Sequence, residues 1–189
     1  MFIKTIPSIL VWLAWAALAP GLGLAQTTQL SGTGTVEYRM VHKFHKVNGV
    51  SKTMMVRGTV DASGLKIMAR AQVRTFDSDN ANRDEHMMET VEGEKFPWVS
   101  LRAVLPGFKL PSSSGSTTIN LNAQIELHGV AVTHPVTIKL DTKDGIHFKA
   151  SFEFDESLTA HKIERPSLMF IPVDDNIRIV GSADVTATS

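Results

Sequence analysis

Beyond residue 25 the chain alternates apolar and polar side chains with a period of two, the mark of strands that face a core on one side and water on the other. Val36, Tyr38, Met40, His42 and Phe44 share one face, against Glu37, Arg39 and Lys43 on the other. Met54, Val56, Gly58 and Val60 make a second inward set, Leu65, Ile67, Ala69, Ala71 and Val73 a third, and Val99, Leu101, Ala103 and Leu105 a fourth. The second half is more regular. Its inward sets are Ile119 to Leu127, Val136 to Leu140, Ile146 to Phe154 and Ile177 to Val185, each at every second residue. The turns Asp61-Ala62-Ser63-Gly64 and Lys143-Asp144-Gly145 carry the residues that tight hairpins need.

One segment breaks the alternation. Asp79, Asn80 and Asn82 offer caps ahead of Arg83 to Glu89, which predicts a short helix within Ser78 to Thr90. Pro106 to Ser116 reads as a polar loop, and Ser157 to Asp175, interrupted by Pro166 and Pro172, as an irregular return. Eight short strands with one helix predict an all-β fold, either a sandwich or an eight-stranded antiparallel barrel with the helix near one end. A barrel of that size encloses packed side chains or one ligand. Gly58, Ala69, Ala71, Ala103, Ala123, Ala150, Gly181 and Ala183 all fall on the inward face, so larger side chains or a ligand must fill the space they leave. That face is apolar, so the expected ligand is a hydrocarbon.

The first 25 residues read as a separate unit. Lys4 precedes the apolar run Ile9 to Ala19, which falls short of the ~20 residues that span a bilayer and suits a secretory signal. Gly23-Leu24-Ala25 places cleavage before Gln26, so the expected organisation is a signal peptide over 1–25 and one domain over 26–189, delivered to the periplasm.

Composition narrows the chemistry. Lys and Arg number 19 against 19 Asp and Glu, a balance that argues against nucleic acid as a partner. Cysteine is absent, which excludes disulfides, thiolate metal sites, thiol nucleophiles and a lipidated N-terminal cysteine. His42 and His45 are three apart and so point to opposite faces of a strand, which leaves no expected metal site. Arg83, Asp84 and His86 read as local charge pairing and caps, with no serine motif beside them, so no catalytic residues are assigned. Met87 and Met88 on the same helix suit a flexible plug over one barrel end.

The run Phe76-Asp77-Ser78-Asp79-Asn80-Ala81-Asn82-Arg83-Asp84-Glu85-His86-Met87, continued by Glu94-Lys95-Phe96-Pro97-Trp98-Val99, resembles a pattern of the YceI-like family of lipid- or polyisoprenoid-binding proteins. Leu127-His128-Gly129-Val130-Ala131-Val132-Thr133-His134-Pro135-Val136-Thr137-Ile138 is similar to that family's Gly-x-Thr-Lys-x-Val-x-Leu hairpin, with Val132-Thr133 in place of Thr-Lys. The resemblance implies an exported, lipocalin-like extended barrel that holds an isoprenoid lipid, such as a quinone or prenyl phosphate, in its lumen. It implies no catalytic machinery and no cofactor other than the bound lipid, with transient contact to a membrane. The residues expected to line the ligand are Tyr38, Met40, His42, Phe44, Met54, Val56, Ala71, Met87, Leu101, Phe148, Ala150 and Phe152. Two alternatives stay open at this point: an enzyme acting on a hydrophobic substrate, and a packed interaction module without a ligand.

Overall fold

Each alternating run forms a strand. These are β1 (Thr28–His42), β2 (His45–Asp61), β3 (Gly64–Gln72), β4 (Trp98–Pro106), β5 (Gly115–Leu127), β6 (Val130–Thr142) and β7 (His147–Ser157). The two-residue strands β8 (Ser167–Leu168) and β9 (Ile171–Pro172) then precede β10 (Asn176–Thr188). The structure is a computed structural model that describes residues 27–42, 45–165, 167–168 and 171–189. The expected signal peptide and Phe44 lie outside the described residues, and of His42 only the backbone is described.

β1 to β7 and β10 close on themselves in the order β1-β10-β7-β6-β5-β4-β3-β2, every pairing antiparallel, so the fold is the barrel and not the sandwich. Closure gives every strand of the main sheet a partner on both sides among the described residues, although the β4–β5 and β6–β7 ladders are short. The expected turns are in place: Gly64 and Gly145 adopt positive φ, and the Asp144 carboxylate accepts from the backbone N–H groups of Ile146 and His147.

The first two strands run longer than their alternation suggests. The β1–β2 register steps between Gly34↔Met54 and Val36↔Ser51, a β-bulge that puts an extra residue in β2. Parity flips there. Val47, Gly49 and Ser51 lie on the core side before the bulge, Met54, Val56 and Val60 after it, so no single period-two pattern runs through β2. Gly49 is required at its position because the Tyr38 ring lies over it, where any Cβ would collide.

Helix α1 (Ala81–Thr90) is fastened by the segment ahead of it. Asn80 Oδ1 accepts from the Arg83 N–H at 3.1 Å, and Asp84 accepts from the Ser78 N–H and hydroxyl. Arg83 donates back through Nε to Ser78 Oγ at 2.9 Å and through Nη2 to Ser78 O at 2.7 Å. Asp77 exchanges two backbone hydrogen bonds with Val50 of β2. Arg83 and Asp84 thus build the turn that seats α1 over the barrel end at which β3 finishes and β4 begins.

The interior separates into two clusters. One fills the barrel body and the end holding the β2–β3 and β6–β7 hairpins, with Leu30, Val56, Val60, Leu65, Leu121 and Phe148 among its members. The other sits at the α1 end and joins Tyr38, Val73, Val91, Leu158, Ile163, Val173 and Ile177.

Candidate functional site, an apolar cavity at the helix end of the barrel

A cavity of about 130 Å³ lies between the two clusters, beneath α1. Its walls come from the α1-proximal halves of the strands: Val36, Tyr38 and Met40 of β1, Met54 of β2, Ala69 and Ala71 of β3, Val99 and Leu101 of β4, and Ile125 and Leu127 of β5. Phe152 and Phe154 of β7 and Ile177 and Ile179 of β10 complete the ring. Val73 and Phe76, which follow β3, join Met87 and Val91 as the roof.

The sequence reading and the cavity agree at Tyr38, Met40, Met54, Ala71, Met87, Leu101 and Phe152, all of which line it. Val56, Phe148 and Ala150 also face inward, where they belong to the packed body and do not line the cavity. The physical reason is their position along the strands: Val56 and Phe148 are buried at 4% and 3% exposure, and Ala150 packs against the same body. Phe108 and Leu110 of the β4–β5 loop, read as a polar loop, also pack there and close that end.

Small residues shape the pocket as expected. Ala71 is 1% exposed in the wall. Gly181 of β10 receives the face of the Phe152 ring, and a Cβ there would overlap it, so this glycine lets Phe152 lie flat against the wall. Met40, Met54 and Met87 line the cavity with flexible thioethers that adapt to irregular shapes. Burial raises the Tyr38 phenol above its ordinary pKa, and the Asp84 carboxylate adds to this while Arg83 opposes it, so the hydroxyl stays protonated.

The strand pattern also carries a polar residue into the cavity. Glu156 stands two residues beyond Phe154, on the inward parity of β7, and its side chain is 1% exposed where it lines the cavity. Its Oε1 lies 3.0 Å from His134 Nε2 and 3.1 Å from His161 Nε2, ion-pair contacts without the alignment of hydrogen bonds, and accepts from the Ser157 N–H at 3.0 Å. His161 is wholly buried, and its Nδ1 donates to Val130 O at 2.9 Å. Burial pushes the His161 pKa down, but the Glu156 carboxylate and the Val130 and Leu127 carbonyls outweigh it and hold the pKa above the usual histidine value. The cluster occupies a seam: the β6–β7 ladder runs only from Ile138↔Phe152 to Thr142↔Phe148, and beyond it side chains bridge the two strands. His134, 27% exposed, connects the seam to solvent. Parity alone marks Glu156 as inward, whereas its partners come from other segments.

Among the described residues no group of three or more His, Asp or Glu is arranged to hold a metal ion, and no helix is long and apolar enough to cross a membrane. Trp98 faces away from the cavity lining, under the Arg70 guanidinium at 4.4 Å from its ring centroid.

A model of the YceI-like domain matches residues 27–183. No curated protein matches the chain. Among solved structures, a polyisoprenoid binding domain from Saccharophagus degradans implicated in plant cell wall breakdown aligns with a TM-score of 0.68 at 8% identity, covering 85% of this chain and 98% of that one. BcnA of Burkholderia cenocepacia aligns at 0.65 and 12% identity, over 80% and 95% of the two chains. The YCEI protein of Campylobacter jejuni aligns at 0.58 and 14% identity, over 79% and 89%. At these identities the likeness is one of fold.

Proposed function

From its membership of the YceI-like domain family, to which this chain belongs, we propose that the protein is an exported, periplasmic, non-catalytic carrier or store for an isoprenoid lipid. The observation that supports the reading most directly is the apolar cavity between the barrel body and α1. A cavity of about 150 Å³ takes a benzene, so 130 Å³ accommodates roughly one five-carbon isoprene unit. A longer tail has to displace the roof, and α1, which buries none of its own residues, together with Met40, Met54 and Met87, forms the part of the wall that yields most readily. The similar domain from Saccharophagus degradans, described as polyisoprenoid-binding, supports the ligand class.

Burial dominates the energetics. Each 100 Å² of tail surface removed from water contributes about 2.5 kcal/mol, against roughly 1 kcal/mol for one neutral hydrogen bond. Affinity for prenyl compounds should therefore rise with chain length and level off once the roof can open no further. The mature protein, purified from its native host and extracted with organic solvent, should yield an isoprenoid by mass spectrometry, quinone or prenyl phosphate being the expected types. Recovery of no lipid, together with no binding across a chain-length series by probe displacement, overturns the reading. The rival enzyme reading draws on the Glu156 cluster and requires turnover of a prenyl substrate; recovery of the unaltered compound after incubation excludes it for that substrate.

A further inference from the structure

We propose that Glu156 is a hydrogen-bond anchor at the α1 end of the cavity, which selects a ligand carrying a neutral hydroxyl group. The proposal rests on the binding reading above and names the chemistry that the same cavity recognises. Glu156 is the carboxylate of inward parity in the lining, where the Tyr38 phenol is the other inward polar group; Arg70 and Ser100 belong to the outward parity of β3 and β4. Its two oxygens are unequal. Oε1 is occupied by His134, His161 and the Ser157 N–H. Oε2 is buried and makes no hydrogen bond among the described residues.

A buried carboxylate oxygen without a donor is costly, and a ligand that supplies one relieves that cost. Charge decides which donor fits. Glu156 Oε1 already lies within 3.1 Å of the His134 and His161 imidazole nitrogens, so an ammonium group would compete with them for the same carboxylate and carry its own desolvation cost into the pocket. A phosphate would set its own negative charge against the carboxylate and belongs outside the barrel. A neutral O–H satisfies Oε2 with no change in net charge, and its hydrocarbon lies along the Phe152, Phe154 and Leu101 walls.

The test compares ligands first, on the wild-type mature protein, so that it does not depend on a variant folding. Displacement of a fluorescent lipid probe is measured for farnesol, its methyl ether and the hydrocarbon farnesene. Farnesol should bind about tenfold more tightly than the ether, the value of a hydrogen bond to a charged group. The same comparison of a short-tailed quinol with its quinone tells whether a phenol reaches Oε2 as an aliphatic alcohol does. A preference for the hydroxyl compound in either pair sustains the assignment, and its absence from both overturns it while farnesene binding keeps the carrier reading intact. Binding of none of these compounds overturns both. Glu156→Leu should then remove the preference while retaining farnesene, and Glu156→Gln, whose amide oxygen still accepts, should weaken it; a folded Glu156→Leu protein that keeps the full preference also overturns the assignment.

Discussion

The two ends of the barrel use the same alternating strands and fill them differently. At the hairpin end Leu30, Val60, Leu65, Ile119, Phe148 and Val185 are all under 10% exposed and pack against one another, with Phe108 and Leu110 of the β4–β5 loop added. At the α1 end the inward positions include Ala69 and Ala71, Phe152 lies back on Gly181, and the space between is closed by Met87 and Val91 of the helix segment. Strand alternation dictates which residues face inward. Side-chain size and the non-strand segments over each end dictate whether the interior is a core or a cavity.

The largest expected effect lies in the hairpin end. Phe148→Ala removes a side chain that is 3% exposed and should cost about 3–5 kcal/mol in denaturant unfolding, while lipid co-purification persists under native conditions. If Phe148→Ala abolishes lipid content in folded protein, the two ends are not separable.

At the opposite end Ala71→Trp places a large ring in the cavity wall. It should eliminate lipid co-purification while costing about 1–3 kcal/mol, because part of the ring occupies space that is already open. Wild-type lipid content in a folded Ala71→Trp protein refutes the assignment of the cavity as the lumen. Ala150→Trp, in the packed body, should show the reverse, with stability lost before binding.

A smaller effect is expected at the roof. Asn80→Ala removes the cap of α1 and should cost ~1 kcal/mol locally. Amide hydrogen exchange should quicken across Ala81–Thr90 and leave β5 and β6 unchanged, whereas uniform quickening would mean that α1 and the barrel open as one unit.

The smallest effect is a pH dependence. The His161 pKa is raised in the folded state by the Glu156 carboxylate and the Val130 and Leu127 carbonyls, but only after the opposing cost of burial has been met. The groups facing this ring are Glu156 and the backbone carbonyls of Val130 and Leu127, with His134 on the far side of the same carboxylate oxygen. A raised pKa gives stability that is fully present below the unfolded value of 6.5 and is lost as pH rises through the folded value. The wild-type melting temperature should therefore fall between pH 6.5 and mildly alkaline pH by more than that of His161→Gln. Parallel pH profiles for the two proteins would remove His161 from the account.

Much of this architecture was legible along the chain because its causes are local. A strand alternates every second residue, so Ile119 to Leu127 and Ile146 to Phe154 declare their inward sets without reference to any neighbour. Lys143-Asp144-Gly145 and the Asn80 cap act within a few residues of themselves, and both stand where expected. The β2 bulge was not legible, because it exists only as a register step against β1. Glu156 could have been read as inward from parity, but nothing near it announces His134 or His161. The cavity is less local still. Its volume is what remains after side chains from seven barrel strands, the 73–76 turn and α1 have packed, so Val56, Phe148 and Ala150, inward by pattern, fall outside it. The sequence by itself determined the strands, their inward faces and the apolar character of the interior, since each follows from the period of the backbone. Tertiary structure alone decided which end stays open and which carboxylate oxygen lacks a partner, because both depend on distances between residues far apart in the chain.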